Sequence, residues 1–212
     1  MMEFQPNGDF HSLLTDKKPL LDEKLTRTYF RQLLDALDYI HAQDIAHMDI
    51  KLENVMLGKN FSLKLVDFDL SYHPKVGRIR GRGTNNYRSP ELREKHKADV
   101  DPKKCDIFSL GVFMFILHSR GTIPFKETNN GNPLLEDLTS SPKLFWQTHK
   151  RLKNRPEGFW SDDFKSLFEA LCAKDPKKRP TVSEIKRHPW VLGDTYTASE
   201  LKSVMSKYYM PK

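Results

Sequence analysis

Two clusters of polar residues flank a predicted β-hairpin in the first third of the chain. The first cluster runs from His47 to Asn54, and the second begins at Asp67. Between them lie the apolar run Val55–Leu57, a turn containing Gly and Asn, and a second apolar run over residues 61–66. This pattern predicts two short strands joined by a turn. Because antiparallel pairing brings the outer ends of both strands together, Asn54 and Asp67 are predicted to be neighbours.

These residue types favour an oxygen-lined site. The amide oxygen of Asn54 and the carboxylate of Asp67 would lie side by side, with a second carboxylate, Asp49, one turn of loop away. Oxygen ligands of this kind suit Mg²⁺ and the phosphate chain that accompanies it. The sequence therefore predicts a magnesium and phosphate site at this end of the hairpin.

The order of these clusters resembles that of protein kinases. The resemblance is carried by the catalytic-loop pattern His47-x-Asp49-x-Lys51-x-x-Asn54, the magnesium triplet Asp67-Phe68-Asp69 and the later run Gly83-Thr84-x-x-Tyr87-x-x-Pro90-Glu91. It implies a mainly α fold of the α+β family: a kinase C-terminal lobe with a short β-hairpin at the catalytic site, the N-terminal β lobe being absent. It implies a truncated kinase domain over residues 1–192, with a hinge at 2–8 and the lobe at 9–192. Residues 193–212 would form a C-terminal tail that adds a helix.

The resemblance also assigns roles to the site residues, with ATP and Mg²⁺ as cofactors. Asp49 would orient the substrate hydroxyl and accept its proton, and Lys51 would steady the γ-phosphate. Asn54 and Asp67 would hold the metal. Thr84 would hydrogen-bond near Asp49 and Lys51, and this pair of Lys51 and Thr84 resembles serine/threonine kinases rather than tyrosine kinases.

The nucleotide would lie against the start of the chain. By resemblance, backbone groups at Glu3 to Gln5 meet the adenine, Asp9 reaches the ribose hydroxyls, and Met2 stands at the gatekeeper position behind the adenine. Asp9 reads equally well as the N-cap of a helix beginning at Phe10.

Further residues of the hairpin region complete this predicted site. Met56 and Val66 would form the floor under the adenine, although as strand residues they are equally consistent with plain core positions. Glu53 belongs to the same region and stands where basophilic kinases accept an arginine of the substrate. The matching carboxylate of the central helix is replaced by Ile116, so a preference for basic substrates is only half supported.

Helical spacing and helix caps predict the rest of the lobe. Amphipathic periodicity predicts a helix from Asp22 to His41, and a run that is apolar on all sides predicts a central helix from Cys105 to Leu117. Further helices are predicted over residues 161–173, after a capping box that begins at Thr181, and from about residue 197 in the tail. Ser89 is predicted to cap a turn that has Pro90 at its first position.

The resemblance and the sequence pattern give several of these side chains structural roles. Asp106 is predicted to accept backbone N–H bonds from the catalytic loop. Arg179 is predicted to pair with Glu91. The two cysteines, Cys105 and Cys172, are predicted to be buried, reduced thiols.

Three features depart from the kinase pattern. Met48 replaces an arginine that in many kinases binds a phosphate on the activation segment, which argues against control by such a phosphate at Ser71, Tyr72 or Thr84. Asp69 replaces the glycine of the triplet, where aspartate is expected to tolerate a left-handed backbone. The 212 residues contain no glycine-rich loop and no strand lysine upstream of the hinge. We therefore expect weak or no catalysis by this chain alone, and an exposed apolar face that a partner supplying or covering the N-terminal lobe would bury.

Charge and hydropathy exclude other classes. The net charge is +7, but Lys and Arg are interspersed with Asp and Glu without aromatic interleaving, which argues against a nucleic-acid partner. No signal peptide is visible, and the longest apolar run is too short to span a bilayer. The chain is therefore predicted to be intracellular and cytoplasmic, with the nucleus left open.

Two function classes remain open. The first is a serine/threonine kinase domain acting on protein or peptide substrates, most like the calcium/calmodulin-dependent and AMP-activated kinase groups. The alternative is a pseudokinase-like interaction module that binds partners without catalysis.

Overall fold

The structure is a computed structural model that describes residues 3–17, 21–75, 79, 83–93, 100–126, 133–153 and 155–209. The α-helices and strands, in chain order, are α1 (Phe10–Ser12), α2 (Glu23–Ala42), β1 (Val55–Leu57), β2 (Leu63–Leu65), α3 (Pro102–His118), α4 (Pro133–Ser140), α5 (Pro142–Lys153), α6 (Asp162–Leu171), α7 (Val182–Lys186), α8 (Pro189–Leu192) and α9 (Ala198–Tyr209). A π-helical turn, Leu13–Lys17, follows α1. Within the described residues, 3₁₀ turns occupy Leu52–Asn54, Asn85–Tyr87, Pro90–Leu92 and Pro176–Lys178.

Helix α2 delivers the chain to the predicted catalytic loop. Its N-cap is Asp22, whose carboxylate accepts a hydrogen bond from the backbone N–H of Leu25 at 2.6 Å. The predicted stripe is buried in the core, with Leu33 and Leu37 fully covered. Because one face is apolar and the other charged, the helix lies on the surface of the core. Its C-terminal end at Ala42 leads into the predicted catalytic loop, which begins at His47.

Helix α3 is the centre of the fold. Its residues from Cys105 to His118 are all buried, as expected for a helix that is apolar on every side. It packs against α2 and α6, and its Phe115 ring stacks on Trp160 with centroids 4.7 Å apart. The predicted central helix is confirmed, with Asp101 as N-cap and Pro102 at the first position.

The predicted hairpin is present as a two-stranded antiparallel sheet. Val55 pairs with Leu65, and Leu57 pairs with Leu63. Phe61 closes the turn with a left-handed backbone (φ 60°) and a buried ring. A mainly helical fold with one short hairpin is therefore confirmed for the described residues.

Some boundaries and caps differ from the sequence predictions. Helix α6 ends at Leu171, two residues before the predicted end at Ala173, because Cys172 takes a non-helical C-cap conformation. Ser89 precedes the Pro90–Leu92 turn, but its hydroxyl makes no cap bond and lies buried. Ser89 thus occupies the predicted N-cap position, with Pro90 at the first position of the turn, but it caps without a side-chain hydrogen bond.

Candidate active site

The carboxylate of Asp49 is the centre of the site and is held from three sides. Its Oδ1 accepts hydrogen bonds from the backbone N–H of Thr84 at 2.9 Å and from the Thr84 hydroxyl at 2.8 Å. Its Oδ2 accepts from Lys51 Nζ at 2.7 Å and from Asn54 Nδ2 at 3.1 Å. Lys51 Nζ also donates to the Thr84 hydroxyl at 3.2 Å, so the three predicted side chains around Asp49 form one network.

This network controls the ionisation of Asp49. Burial alone would raise the pKa of the Asp49 carboxyl, but the hydrogen bonds from Lys51 and Thr84 outweigh it, so the pKa lies below its usual value. The group is therefore a fixed anion at neutral pH. Such a carboxylate is a weak base but a strong orienting acceptor for a hydroxyl group.

Asn54 connects the catalytic loop to the hairpin. Its side-chain N–H₂ donates to Asp49 O at 2.9 Å as well as to the Asp49 carboxylate, and its backbone oxygen accepts from Val66 N at 3.0 Å. The bond from Val66 N extends the strand pairing by one step beyond the Val55–Leu65 pair. Asp67 is the next residue in the chain after Val66. Asp67 has a left-handed backbone (φ 65°) and an exposed carboxylate.

The donor set fits magnesium bound together with a nucleotide. The Asn54 amide uses its nitrogen on Asp49, and its oxygen makes no hydrogen bond to any described residue, while Asp67 adds an exposed carboxylate. Across the described ranges, no group of three or more His, Cys, Asp or Glu side chains is placed to hold a metal ion. Mg²⁺ needs no such cage, because it usually combines one or two protein oxygens with water and substrate phosphates.

His47 joins the catalytic loop to the triplet that contains Asp67. Its ring is fully buried, its Nε2 lies 2.8 Å from Val66 O, and its Nδ1 accepts from Asp49 N at 3.3 Å. Acceptance at Nδ1 leaves the proton on Nε2, which then donates to Val66 O. The Phe68 ring packs edge-on against His47 with centroids 4.8 Å apart.

Asp106 fixes the catalytic-loop backbone from below. Its carboxylate accepts from His47 N at 2.7 Å and Met48 N at 2.8 Å, which confirms the predicted contact. Sequence analysis missed a third partner: His41 Nε2, at the end of α2, lies 2.9 Å from Asp106 Oδ2. The signal for His41 was weak, because a single His at the end of an amphipathic helix is unremarkable by spacing alone.

The run from Gly83 to Glu91 packs onto α3 beside the network. Ser109 on α3 donates to Tyr87 O at 2.9 Å, and Leu52 N donates to the Tyr87 hydroxyl at 3.4 Å. Glu91 forms a two-pronged ion pair with Arg179, with N–O distances of 2.6 and 2.8 Å and both side chains buried. The predicted pairing of Glu91 with Arg179 is present in the structure.

The hinge segment lies against the hairpin. Leu57 N donates to Gly8 O at 2.8 Å, and Asn7 Nδ2 donates to Gly58 O at 2.7 Å. Asp9 caps α1, its carboxylate accepting from Ser12 N at 2.8 Å, so the capping alternative for Asp9 is observed. The role of Asp9 toward ribose stays a prediction.

The other residues predicted around the adenine occupy the same region. The backbone of Asp9 forms an isolated antiparallel bridge to Met56 on β1. Met56 and Val66 are both half-buried. The Gln5 side chain is buried and donates to Glu3 O at 3.2 Å, whereas Glu3 is exposed. Residues 7–9 thus lie along β1, against residues 56–58.

The family model described as protein kinase domain matches residues 1–191. The chain belongs to the protein kinase family. Similar proteins include maternal embryonic leucine zipper kinase of Danio rerio, 31% identical over 96% of this chain and 28% of that protein. A second is 3-phosphoinositide-dependent protein kinase B of Dictyostelium discoideum, 36% identical over 89% of this chain and 20% of that protein. A third is serine/threonine-protein kinase SIK2 of Gallus gallus, 32% identical over 91% of this chain and 22% of that protein.

The match to each curated relative is partial. The chain spans between a fifth and two fifths of the length of the kinases described as most similar to it. Family membership, predicted from the ordered motifs, is confirmed, and the assignment to a kinase group stays a prediction.

One departure from the kinase pattern has a structural explanation. Met48 is buried (4% exposed) in an apolar cluster with Ala46, Leu92 and Cys105, against which Ile79 also packs. The Met48 side chain is uncharged and faces this cluster, so it provides no positive charge for a phosphate group. Met48 therefore makes apolar contacts at the position where the kinase resemblance leads us to expect an arginine.

The second departure corrects the sequence analysis. Asp69 was expected to tolerate a left-handed backbone in place of the glycine, but the positive φ belongs to Asp67, and Asp69 is not among the residues with positive φ. The Asp69 N–H instead points back at Asp67 Oδ1, 3.5 Å away. The aspartate at position 69 is therefore accommodated without a left-handed turn.

Met2, predicted at the gatekeeper position, lies outside the described residues. Glu53 is exposed in the Leu52–Asn54 turn. Both cysteines are buried and free, as predicted. None of the described helices combines the length and the hydropathy that a membrane crossing requires.

Proposed function

We propose that this chain is the C-terminal-lobe part of a protein serine/threonine kinase domain that transfers the γ-phosphate of ATP to protein hydroxyl groups. The domain would span residues 1–192, with the hinge at 2–8, the lobe at 9–192 and a tail at 193–212. The observation that carries the proposal is the Asp49 carboxylate, fixed by Lys51, Asn54 and Thr84 within 2.7–3.1 Å.

Asp49 would act chiefly by orientation. A substrate hydroxyl that donates to this carboxylate has its oxygen aimed at the γ-phosphate, and positioning supplies most of the rate in phosphoryl transfer. The pKa of Asp49 lies below its usual value, so the proton would pass to Asp49 only when the bond to phosphorus is nearly formed.

Three further side chains would handle the phosphate charge. Lys51 Nζ, already bound to Asp49 and Thr84, would contact the γ-phosphate and so join the nucleophile site to the phosphate site. Asn54 and Asp67 would hold Mg²⁺ through oxygen atoms. The bound cation would neutralise charge on the phosphate chain.

The preference for serine and threonine rests on the Lys51–Thr84 contact and on the relatives. Lys51 and Thr84 occupy the positions at which the resemblance distinguishes serine/threonine kinases, and they contact each other at 3.2 Å. One similar protein is itself named a serine/threonine-protein kinase. Peptide or protein substrates would approach across Thr84 and Glu53.

The nucleotide would lie between the hinge and the hairpin. Glu3 to Gln5 would meet the adenine through backbone groups, Asp9 would face the ribose, and Met56 and Val66 would form the floor. Phe4 (84% exposed) and Phe68 (41% exposed) leave apolar surface beside this region. A covering lobe, in the same polypeptide or from a partner, would bury that surface and complete the phosphate clamp.

The alternative is a pseudokinase-like interaction module. It is favoured by Asp69, a second carboxylate beside Asp67. Both readings place a partner on the exposed face, and they differ in whether Asp49 supports phosphate transfer.

A fusion experiment separates these alternatives. The chain alone is expected to bind Mg·ATP weakly and to label a generic peptide negligibly with [γ-³²P]ATP. Fusion of the N-terminal lobe of a similar kinase to residue 3 is expected to give transfer that Asp49→Asn abolishes. Robust transfer by the chain alone that Asp49→Ala abolishes would contradict the expectation of weak activity, and a folded, ATP-binding fusion without transfer would favour the pseudokinase.

A further inference from the structure

The tail helix α9 is part of the folded core. Thr197 and Glu200 form a reciprocal cap at its start, with the Thr197 N–H donating to the Glu200 carboxylate at 2.7 Å. Leu201 and Met205 are buried in the main hydrophobic cluster. The tail is therefore fixed relative to the lobe.

The segment before α9 is fastened to α2. Tyr196 N donates to the Thr28 hydroxyl at 2.9 Å, and the Tyr196 hydroxyl lies 3.2 Å from Asp22 Oδ2. Arg27 donates to Asp194 O at 3.0 Å. These contacts hold the beginning of the tail and lie on α2, away from the hinge.

The last turn of α9 reaches the hinge. The hydroxyl of Tyr209 donates to Asn7 O at 2.8 Å, and its ring packs on Phe61 at the tip of the hairpin with centroids 5.1 Å apart. Lys17 Nζ lies 5.0 Å from the centre of the same ring. One side chain thus touches the hinge, the hairpin turn and the end of the π-helical turn.

The Asn7 residue is held from two directions. Its side chain donates to Gly58 O on the hairpin, and its backbone oxygen accepts from Tyr209 on the tail. The neighbouring Gly8 O accepts from Leu57 N. The course of the hinge between Gln5 and Asp9 is therefore set jointly by the hairpin and by the tail.

Electrostatics agrees with this placement. Burial, together with the charge of Asp9, raises the pKa of Tyr209 to about 12. The hydroxyl therefore keeps its proton at neutral pH and remains a donor.

We propose that Tyr209 is a positioning residue of the nucleotide site: its hydroxyl holds the Asn7 peptide so that the hinge is preformed for the adenine. This inference rests on the proposed ATP function for its consequence and on the Tyr209–Asn7 contact for its geometry. It gives the tail, which the phosphoryl-transfer chemistry does not use, a role in nucleotide affinity.

The test compares two single-atom deletions in the tail. Tyr209→Phe removes the hydroxyl but keeps the ring on Phe61. Tyr196→Phe removes the same atom from the tail contact on α2 and serves as the matched control. Residue-resolved hydrogen exchange by NMR on the full 212-residue chain, without nucleotide, reports the amides of Gly8 and Leu57.

We expect Tyr209→Phe to speed exchange at Gly8 and Leu57 by about three- to tenfold, the effect of one lost hydrogen bond, and Tyr196→Phe to leave them unchanged. Equal exchange at these amides in both variants would overturn the proposal. Unfolding midpoints of the two variants, measured in urea, show whether any change is global.

Comparing the binding of Mg·ATP with that of Mg·triphosphate distinguishes positioning of the adenine site from a purely structural role, which would not change the ratio of the two affinities. We expect Tyr209→Phe to weaken Mg·ATP binding about three- to tenfold and to leave Mg·triphosphate, which has no adenine, unchanged. Equal weakening of both ligands would overturn adenine-site positioning. If the wild-type chain bound neither ligand, the expected weak Mg·ATP binding by the chain alone would be contradicted, and the exchange data would still decide whether Tyr209 holds the hinge.

Discussion

Left-handed backbone conformations cluster at single residues around the catalytic loop. Met48 (φ 68°), Asp67 (φ 65°) and Gly83 (φ 69°) all lie within this site. For a non-glycine residue such a conformation costs on the order of 1–3 kcal/mol and persists only where neighbours enforce it. At Met48 the neighbour is Asp106, which accepts the Met48 N–H.

Gly83 is the residue at which this strain is most easily tested. A Cβ at position 83 would lie 2.6 Å from Met48 O and 3.6 Å from Asp49 Oδ1. Gly83→Ala is therefore expected to destabilise the fold by about 2–4 kcal/mol, combining backbone strain with a backbone clash, in urea unfolding.

Gly158→Ala is the matched control for Gly83→Ala. Gly158 has a similar backbone (φ 75°), but a Cβ there would meet no atom within 4 Å. It isolates the cost of the left-handed conformation, expected to be about 1 kcal/mol. Equal destabilisation by both substitutions would show that the approach of Gly83 to Met48 contributes nothing.

The family resemblance predicted the contacts of Thr84 with Asp49 and Lys51, and those of Asp106 with the catalytic loop. The hydrogen bonds from Asn54 to Asp49 were not predicted, because Asn54 was assigned to the metal. The contacts of His41 and Tyr209 were not predictable in this way. Each depends on a separate helix that ends beside the site. Helical spacing predicts which face of a helix is buried, but it does not predict which residues that helix packs against. The burial of Met48 likewise depends on residues that come together only in the fold.

At the scale of elements, the Glu91–Arg179 pair ties the turn before α3 to the loop after α6. Arg179 also donates to Ala173 O at 2.9 Å and Lys104 O at 2.9 Å, so its guanidinium is fully occupied. Burial would raise the pKa of Glu91, but the contact with Arg179 outweighs it and the pKa lies below its usual value. Losing one member leaves the other buried without its charge partner, at a cost of about 3–5 kcal/mol.

The sign of the pH effect follows from this pKa. Since the pKa of Glu91 is lowered by folding, its contribution is fully present above the ordinary value of 4.5 and is lost as pH falls through the lower folded value. Glu91→Gln is expected to cost on the order of 3 kcal/mol at pH 6, and the gap to wild type is expected to narrow below pH 4.5.

Urea unfolding at pH 6 and at pH 3.5 measures the difference in unfolding free energy between Glu91→Gln and wild type at each pH. Glu157→Gln, which removes an exposed carboxylate with the same charge change, is the control and is expected to shift stability by less than about 0.5 kcal/mol at either pH. A gap between Glu91→Gln and wild type that stays constant down to pH 3.5 would argue against an ionised Glu91.

Elements with a strong period or a clear cap were predictable, and irregular ones were not. The all-round apolar run of α3 and the capping box at Thr181 were read correctly from sequence. The π-helical turn Leu13–Lys17 has no such signature, because it forms where α1 is packed against the hairpin side of the core. Tertiary packing, rather than local preference, decides such turns.

At the scale of the whole molecule, a helical core supports one polar network at its edge. Helix α3 holds the catalytic loop through Asp106, the activation-segment turn through Ser109, and the aromatic core through Phe115. The hinge and hairpin are fastened to the same body by α1 and by the tail. The molecule therefore presents Asp49, Asn54 and Asp67 from a rigid support, as phosphoryl transfer requires.

The central claim is that Asn54 and Asp67 hold the metal of a metal–nucleotide complex beside Asp49. Electron paramagnetic resonance of Mn²⁺·ATP, with Mn²⁺ in place of Mg²⁺, measures this directly on the 212-residue chain. Asp67→Asn is expected to weaken binding by at least about tenfold, the loss of a charged metal ligand. Asp69→Asn, the same change two residues away, is expected to alter it by less than about twofold; equal affinity of wild type and Asp67→Asn for Mn²⁺·ATP would contradict the account.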